Sequence, residues 1–588
     1  MFRRNAYQGT RQQKRVIPVK GAFPGQVEIT NQQVAALLNL MGQILEINGE
    51  NVFKIRAFYR ASDIIDRLAS PVAGMDEEAL SSIDGIGKNI ARKIREIVEK
   101  GTFDELEVAK SGIPGTLIEL LSLEGVGPKT VSTLWKKLNV TSIDDLERAA
   151  KGHRIRAVRG FGEKKEELFQ KSIAMYRDQS GRMNRMEADA VAGKIRPVLT
   201  PETYEFAGSY RRGKSSIGDI DVVTTEPPGR LNPRLRTIAE EVIDAGDRKT
   251  SLRVIGKRVD IRFTRPQQFG SMLLYLTGSK AFNIKLREIA ISRGYKLNEY
   301  GIEDRSTGTL KEFSREEEIL AFLGLDYIVP ELRENWGEVE RSLSHSLPVL
   351  LDSREIRGDL HVHSSWSDGL LSIADLAQAG EQLGYEYILC SDHSATLGIA
   401  HGLDEDGIRR QSHEIELVNR SSSCKILHGI EVDILADGTL GLPNRILADL
   451  DLVIASVHSG FSQPQDIITR RIIAAVEQEH VDIIGHPTGR LIGKRQGYAV
   501  DMSRVIERAK DTGTSLECNA SPYRLDLDDA YIREAVERGV RIAIGTDTHD
   551  RSELRHMQYG VMTCRRGWSS RGDILNTLPV NELLEWAA

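Results

Sequence analysis

The stretch FAGSYRRGKSSIGDIDVV, Phe206–Val223, decides how the middle of this chain is read. Gly208 and Ser209 lead into Arg211 and Arg212, and Gly218 leads into Asp219 and Asp221. On a strand, positions two apart face the same side, so the two carboxylates project together. Joined by a third acid from a neighbouring strand, such a pair can bridge two Mg²⁺ ions about 3.5–4 Å apart. Asp260, set between apolar residues in KRVDIRF, fits as the third acid. Two such ions neutralise a triphosphate and hold leaving oxygens in line, and Ser209 with Arg212 would grip phosphate. Alternating acids on a wet strand face are ordinary. A G-S pair followed by D-x-D and an isolated third Asp is much rarer.

Outward from this stretch the chain changes character. Residues 204–264 alternate short apolar runs with turns and predict a small mixed sheet with helices. From Glu28 to about Arg177, apolar residues recur at three and four (Val34, Leu37, Leu38, Met41, Ile44, Leu45), which predicts an all-α region. Within it lie IDGIGKNIARKI (Ile83–Ile94), LEGVGPKTVSTLWKKL (Leu123–Leu138) and VRGFGEKKEELF (Val158–Phe169). Each sets two glycines between helices: Gly85 and Gly87, Gly125 and Gly127, Gly160 and Gly162, with lysines such as Lys129 following. Glycines allow a tight turn, and the next helix offers free N–H groups and its positive dipole end to a phosphate oxygen. This is the helix-hairpin-helix arrangement, which grips a backbone without reading sequence. One Gly turn is usually only a turn; three with basic followers predict DNA binding.

Beyond this stretch, residues 271–343 read as helices and loops, and LSHSLPVLLDSRE as a linker. The C-terminal part then alternates strand-like runs with amphipathic helices: GDLHVH, EYILCSDH, KILHGIEVD, DLVIASVH, VDIIGH, TSLECN and RIAIGTDTH. Seven alternations predict a parallel barrel of (β/α) units, whose functional groups sit at the C-terminal strand ends. There stand His361, His363, Asp368, His393, Glu431, His458, His486, Asp547 and His549. Nine N/O donors suit about three first-row ions such as Mn²⁺, Zn²⁺ or Fe²⁺. Arg490, Lys494 and Arg495 follow the GHP motif and read either as a surface loop or as phosphate contacts.

At 588 residues, with 40% hydrophobic and 28% charged residues, the chain is a multidomain globular protein rather than a collagen-like, coiled-coil or disordered one. Over residues 1–350, 55 Lys and Arg face 48 Asp and Glu; over 351–588 the numbers are 24 and 37. A basic front suits a polyanion, and an acidic back holding most of the histidines suits cations. Cys390, Cys424, Cys518 and Cys564 form no CxxC, which supports neither a disulfide framework nor a thiolate zinc site. The start lacks an apolar signal core, so a cytoplasmic location is expected, with no membrane partner.

GSYRRGKSSIGDID, RVDIRF and YLTGSKAFNIKLRE (Tyr275–Glu288) resemble the palm and thumb motifs of the family X DNA polymerases, from about Glu28 to Leu343. The resemblance implies that Asp219, Asp221 and Asp260 are catalytic metal-binding acids, and that Ser209, Arg212 and Gly218 contact the triphosphate. It places Tyr275 and Gly278 beneath the incoming sugar, Asn283 at the nucleotide's minor-groove edge and Arg287 near the template. Leu276 departs from the aromatic of gap-filling relatives, and Lys280 from an acid of some, which bears on sugar choice and nucleotide affinity. Lys93 falls on the Schiff-base nucleophile of a 5′-deoxyribose phosphate lyase, and Lys54 on a phosphate-binding lysine. A solvated helix lysine is the competing reading of Lys93. The segment from about Arg357 to Gly572 resembles the polymerase and histidinol phosphatase (PHP) domain, a distorted (β/α)7 barrel whose metal-ligand pattern matches all nine donors.

The expected layout is a basic tail (1–25), a lyase-like helical domain with the first hairpin (26–100), a fingers-like helical domain with the other two (101–184), an α/β nucleotidyltransferase palm (185–270), a thumb (271–343), a linker (344–356) and the PHP domain (357–588). The expected function is gap filling on gapped or primed DNA with dNTPs and Mg²⁺ in DNA repair, with a Mn²⁺- or Zn²⁺-dependent 3′-5′ exonuclease that also suits abasic-site cleavage. A monomer is expected, and nothing names a protein partner. The alternative is a DNA-tethered PHP phosphatase with a weak or inactive palm.

Overall fold

The computed structural model describes residues 29, 31–66, 68, 72–83, 85–123, 125–179, 181–395 and 402–588. The basic tail over 1–25 lies outside the described residues. The chain divides into two compact units, one through Gly115 and the other Thr116–Ala588. The expected boundary at 100/101 falls inside the first unit.

In the first unit the helices Asn31–Asn48 and Val52–Asp66 pair over Leu38, Ile44 and Phe58, and Phe103 stacks on Phe58 at 6.2 Å. The helix Lys88–Lys100 begins from the first Gly turn, with Gly85 left-handed at φ +89°. A Cβ on Gly85 would lie 2.6 Å from Ile64 Cδ1, so the turn needs glycine on both counts.

The second unit opens with the other two Gly turns, Gly125 and Gly160, also left-handed at φ +76° and +90°. Five palm strands follow: β1 (Tyr204–Phe206), β2 (Ile220–Thr224), β3 (Glu241–Ala245), β4 (Lys249–Val254) and β5 (Lys257–Phe263), in the order β1-β2-β5-β4-β3. Only β2 and β5 run parallel, so the sheet is mixed, as its alternating runs predict. The thumb departs from expectation. Besides helices Phe269–Thr277 and Lys280–Ser292 it contains a three-stranded antiparallel sheet, Tyr295–Asn298, Gly301–Asp304 and Leu310–Lys311. Asn298 Oδ1 accepts from the backbone N–H groups of Tyr300 and Gly301 and so builds the tight hairpin. Strands this short leave almost no periodicity to read.

The barrel strands are β6 (Gly358–Val362), β7 (Tyr387–Cys390), β8 (Lys425–Asp433), β9 (Leu452–Ser456), β10 (Ile483–Ile484), β11 (Ser515–Asn519) and β12 (Ile542–Gly545). All neighbours are parallel in chain order. The residues after β12 return to β6 through Asp547 N–H to His361 O and His363 N–H to Thr548 O, both 2.9 Å. The ring of seven strands is thus nearly closed, with β10 reduced to two residues. The expected linker adheres to the barrel: Leu351 and Ile356 join its core, and Leu351 N–H donates to Ser569 O.

Two ion networks tie the second unit together. Arg211 grips Glu316 with two hydrogen bonds (2.8 and 2.7 Å), and fully buried Arg333 adds a third at 2.6 Å. Arg566, from the barrel helix Met557–Arg566, reaches Asp529, the thumb's Glu334 at 3.2 Å and the backbone oxygen of Arg212 in the palm at 2.6 Å. Burial would raise the Glu316 carboxyl, but Arg333 and Arg211 outweigh it and hold its pKa at about 2, below its ordinary value of 4.5. The contribution is therefore complete above pH 4.5 and disappears as pH falls toward 2. Glu316→Gln should cost about 3 kcal/mol at neutral pH. The gap to the unsubstituted chain, measured by denaturant unfolding, should close as pH is lowered over that window; a pH-independent gap would refute the assignment.

Candidate active sites

In the palm, the parallel register sets Asp221 opposite Asp260, with Asp219 just ahead of β2. The three acids offer oxygens within 4.8 Å of one another. Gly208, at φ +63°, lies so close that a Cβ would sit 2.4 Å from Asp221 Oδ2. Glycine there lets the short helix Gly208–Arg211, with Ser209 in its first turn, close against the acids. Burial, then Asp219 and Asp260, push Asp221 up to about 7. Burial also acts upward on Asp260, but Lys249 at 2.7 Å, Ser251 and Arg258 at 3.2 Å outweigh it and hold that carboxyl low. Clustered carboxylates whose repulsion is only partly relieved are a donor set that suits divalent cations.

The other nucleotide-site expectations lie around this centre. Arg212 donates to Glu334 at 2.9 Å and to the carbonyl of Thr277, so its guanidinium links palm to thumb. Gly278 follows Thr277, and a Cβ on it would come within 3.3 Å of Arg212 Nη1. Asn283 Nδ2 donates to Tyr275 O at 2.7 Å, and the Arg287 guanidinium lies 5.6 Å from the Tyr275 ring. Tyr275 and Leu276 line a cavity of about 660 Å³ with Arg248, Arg262 and Arg265. Gly218 lies beside Arg182, whose guanidinium is held by Ser216. Gly87 and Gly127 cap the helices after their turns, and Lys129 sits in the first turn of the second of these.

In the first unit Lys93 and Lys54 meet on one carboxylate. Glu105 lies 2.5 Å from Lys93 Nζ and 2.9 Å from Lys54 Nζ. Lys93 is 6% exposed, which removes the reading of a solvated helix lysine. The charge in contact with its amine is the Glu105 carboxylate.

The barrel brings all nine expected donors together. Glu431, 1% exposed, is the hub: it faces His393 (2.8 Å), His486 (3.0 Å), His458 (3.2 Å), His361 (3.6 Å) and His363 (3.8 Å). Asp547 lies 3.3 Å from His363, and Asp368 lies 3.4 Å from His549, 3.6 Å from His393 and 3.7 Å from His363. Among the described residues, His361 Nε2 and both ring nitrogens of His363 are buried without a hydrogen-bond partner. Orphaned buried nitrogens cost free energy unless something binds them. Imidazoles and carboxylates aimed at common points fit divalent metal ions.

Residues outside the sequence expectation complete the arrangement. Glu517, on β11, meets His361 Nδ1 at 2.6 Å, and Asp433 meets His458 Nδ1 at 2.8 Å, so each holds an imidazole with Nε2 toward the centre. Arg524 approaches Asp547 at 3.3 Å. TSLECN and GIEVD place acids at strand ends like the expected ligands, which is the signal that could have revealed Glu517 and Asp433. Arg490 turns inward to Arg524 O, and Arg495 donates to Gly489 O at 2.8 Å and covers Phe461. Arg490 and Arg495 are thus engaged with the protein itself, and of that basic trio Lys494 is the outward one.

Fold and sites define a polymerase-type palm and thumb joined to a histidine- and carboxylate-lined phosphoesterase barrel. Family models match accordingly: a helix-hairpin-helix domain over 29–103, a SAM-like helix-hairpin-helix tandem over 117–168, the DNA polymerase beta palm over 182–263, the DNA polymerase beta thumb over 272–334 and the PHP domain over 359–521. The DNA polymerase/3′-5′ exonuclease PolX of Bacillus subtilis is 37% identical over 563 residues, 94% of this chain and 98% of the relative. A probable phosphatase of Thermoanaerobacter sp. is 31% identical over 231 residues, 37% of this chain and 89% of its own. DNA polymerase lambda of Rattus norvegicus is 25% identical over 341 residues, 52% of this chain and 56% of its own. The chain belongs to the family X DNA polymerases that carry a C-terminal PHP domain. Membership implies a DNA substrate and dependence on divalent metal. Among the described residues no helix is long and apolar enough to cross a membrane.

Metal add-back tests the barrel cluster. After chelation, saturating Mn²⁺ at a hundredfold excess over Kd should stabilise the fold by about 2.7 kcal/mol, read as a rise of several degrees in Tm. The His361→Ala, His363→Ala double variant should lose most of that rise; an equal rise in the variant would place the bound metal elsewhere.

Proposed function

We propose that this chain is a DNA-directed DNA polymerase that fills short gaps during base-excision repair, joined to a metal-dependent 3′-5′ exonuclease that also cleaves abasic sites, and that it works as a cytoplasmic monomer. The observation that carries the reading is the completeness of both sets on one chain: three palm acids within reach of one another and nine barrel donors, Glu431 among them at the hub. The Bacillus subtilis relative, a polymerase and 3′-5′ exonuclease by name, matches across both halves.

In the palm, Asp219, Asp221 and Asp260 would hold Mg²⁺ opposite a dNTP. Ser209, Gly218 and Arg212 would receive its triphosphate, while Tyr275, Gly278 and Asn283 form the floor and edge of the nucleotide and Arg287 meets the template. The three Gly turns grip DNA backbone. In the barrel, His361, His363, Asp368, His393, Glu431, His458, His486, Asp547 and His549 would hold about three Mn²⁺ or Zn²⁺ ions. Bound cations supply Lewis-acid neutralisation of phosphate charge and a water activated for attack. Glu517 and Asp433 keep their imidazoles oriented, and the buried walls exclude bulk water.

Asp219→Ala with Asp221→Ala should abolish dNTP incorporation, a loss of at least about a thousandfold, and leave 3′ degradation intact. His361→Ala with His363→Ala should do the reverse. A 5′-labelled primer on gapped duplex reads both, and incorporation by the first variant would sink the palm assignment. Hydrolysis of a generic phosphomonoester without degradation of a DNA 3′ end would favour a DNA-tethered phosphatase, the reading that the Thermoanaerobacter match to the barrel supports.

For the lyase, Lys93 would be the nucleophile and Lys54 a phosphate contact. Schiff-base formation needs a free amine. Burial raises the Glu105 carboxyl, but Lys93 and Lys54 outweigh it and hold it below its ordinary value, so Glu105 is the ion-pair partner from which Lys93 must separate to act. Borohydride should trap the chain on a 5′-deoxyribose phosphate end, and Lys93→Ala should remove the adduct; an undiminished adduct would overturn the role.

A further inference from the structure

A cleft of about 590 Å³ lies within the second unit, with one wall from the palm and the other from the barrel. Arg182 and Ser216 stand on the palm wall, and Lys494, Arg495, Tyr523 and Tyr531 on the barrel wall. The palm wall adjoins the first candidate site: Ser216 holds the Arg182 guanidinium at 2.6 Å, and Gly218, just ahead of Asp219, lies against the same guanidinium. The barrel wall adjoins the second. Thr488, also lining the cleft, is two residues beyond His486, and Tyr523 precedes Arg524, whose guanidinium lies 3.3 Å from Asp547.

We infer that this cleft carries single-stranded DNA, conducting a frayed primer 3′ end from the palm to the barrel without release of the DNA. The inference rests on the two activities proposed above. Charge supports it: Arg182, Arg490, Lys494 and Arg495 line the cleft against the acids Glu187 and Asp528, leaving a net positive passage between two sites that both act on phosphate. Part of that positive charge is internally engaged, since Arg490 lies 3.3 Å from Asp528. The aromatic content supports it further. Tyr523 is 39% exposed, with Lys494 Nζ 5.5 Å from its ring, which pairs a stacking surface with a phosphate-seeking ammonium. Single-strand channels combine these two elements because every base has a π-face and every link a negative charge. A duplex would not suit the site, since its bases are already stacked and closed to Tyr523.

The test uses the full chain with Mn²⁺ and three probes. One is a primer–template with three mismatched 3′ nucleotides, preloaded and then challenged with excess unlabelled DNA. The second is the matched gapped primer with dNTPs and Mg²⁺. The third is thymidine 5′-monophosphate p-nitrophenyl ester, too small to need a path. Lys494→Glu with Tyr523→Ala should slow excision of the trapped mismatched end by about tenfold or more. Matched extension and ester hydrolysis should be unchanged, and Tyr523→Phe, which keeps the ring, should excise as the unsubstituted chain does. Excision of the trapped end at the original rate in the double variant overturns the path. So does a parallel fall in ester hydrolysis, which would locate the effect in the chemistry. If the unsubstituted chain itself fails on the ester and on DNA, the nuclease reading falls and the path with it.

Discussion

The second unit depends on one buried guanidinium. Arg566 is 2% exposed, and removing such a group from water is costly unless its donors are satisfied. Here they are met by three different parts of the fold: Asp529 of the barrel, Glu334 of the thumb and the Arg212 carbonyl of the palm. Because each acceptor belongs to a different element, rotation of the barrel against the palm would strand a charge in a dry interface. Nearby contacts reinforce the constraint. The Asp189 carboxylate accepts from palm Tyr210 and barrel Tyr559, each at 2.8 Å, and Met562 fills the space that Gly213 leaves open.

That lock reaches the chemistry through Glu334. The same carboxylate that meets Arg566 also holds Arg212, so a barrel residue helps fix a side chain expected at the triphosphate. The two candidate centres follow a common electrostatic logic. The palm crowds carboxylates, and the barrel gathers imidazoles and carboxylates around Glu431 with buried ring nitrogens left unsatisfied. Such arrangements are stable when cations fill them, which ties the fold to its cofactors.

Much of this was legible in the chain. D-x-D at the start of a strand predicts Asp219 and Asp221 on one side, because the strand period is two, and the two acids do meet although Asp219 stands just ahead of β2. Gly turns at Gly85, Gly125 and Gly160 announce their left-handed backbone, since few other residues adopt it cheaply. Histidines and acids at the ends of six of the seven apolar runs mark the barrel and the donors that it gathers. Other features left no trace. The thumb hairpins are too short for a periodic signal, and Glu105 is one acid among many on a helical surface. Glu517 and Asp433 look like ordinary strand-end acids until they are seen against His361 and His458.

The sequence by itself therefore determined the fold classes, the three palm acids and the nine barrel donors, because these follow from local periodicity and from side-chain chemistry at fixed offsets. Only the tertiary structure decided which charges are partnered, that Lys93 is buried on Glu105, that Arg212 and Arg566 share Glu334, and that a basic, aromatic cleft joins the surroundings of both centres. Those relations hold between residues far apart in the chain, and burial, which sets their energy, exists only once the domains have packed.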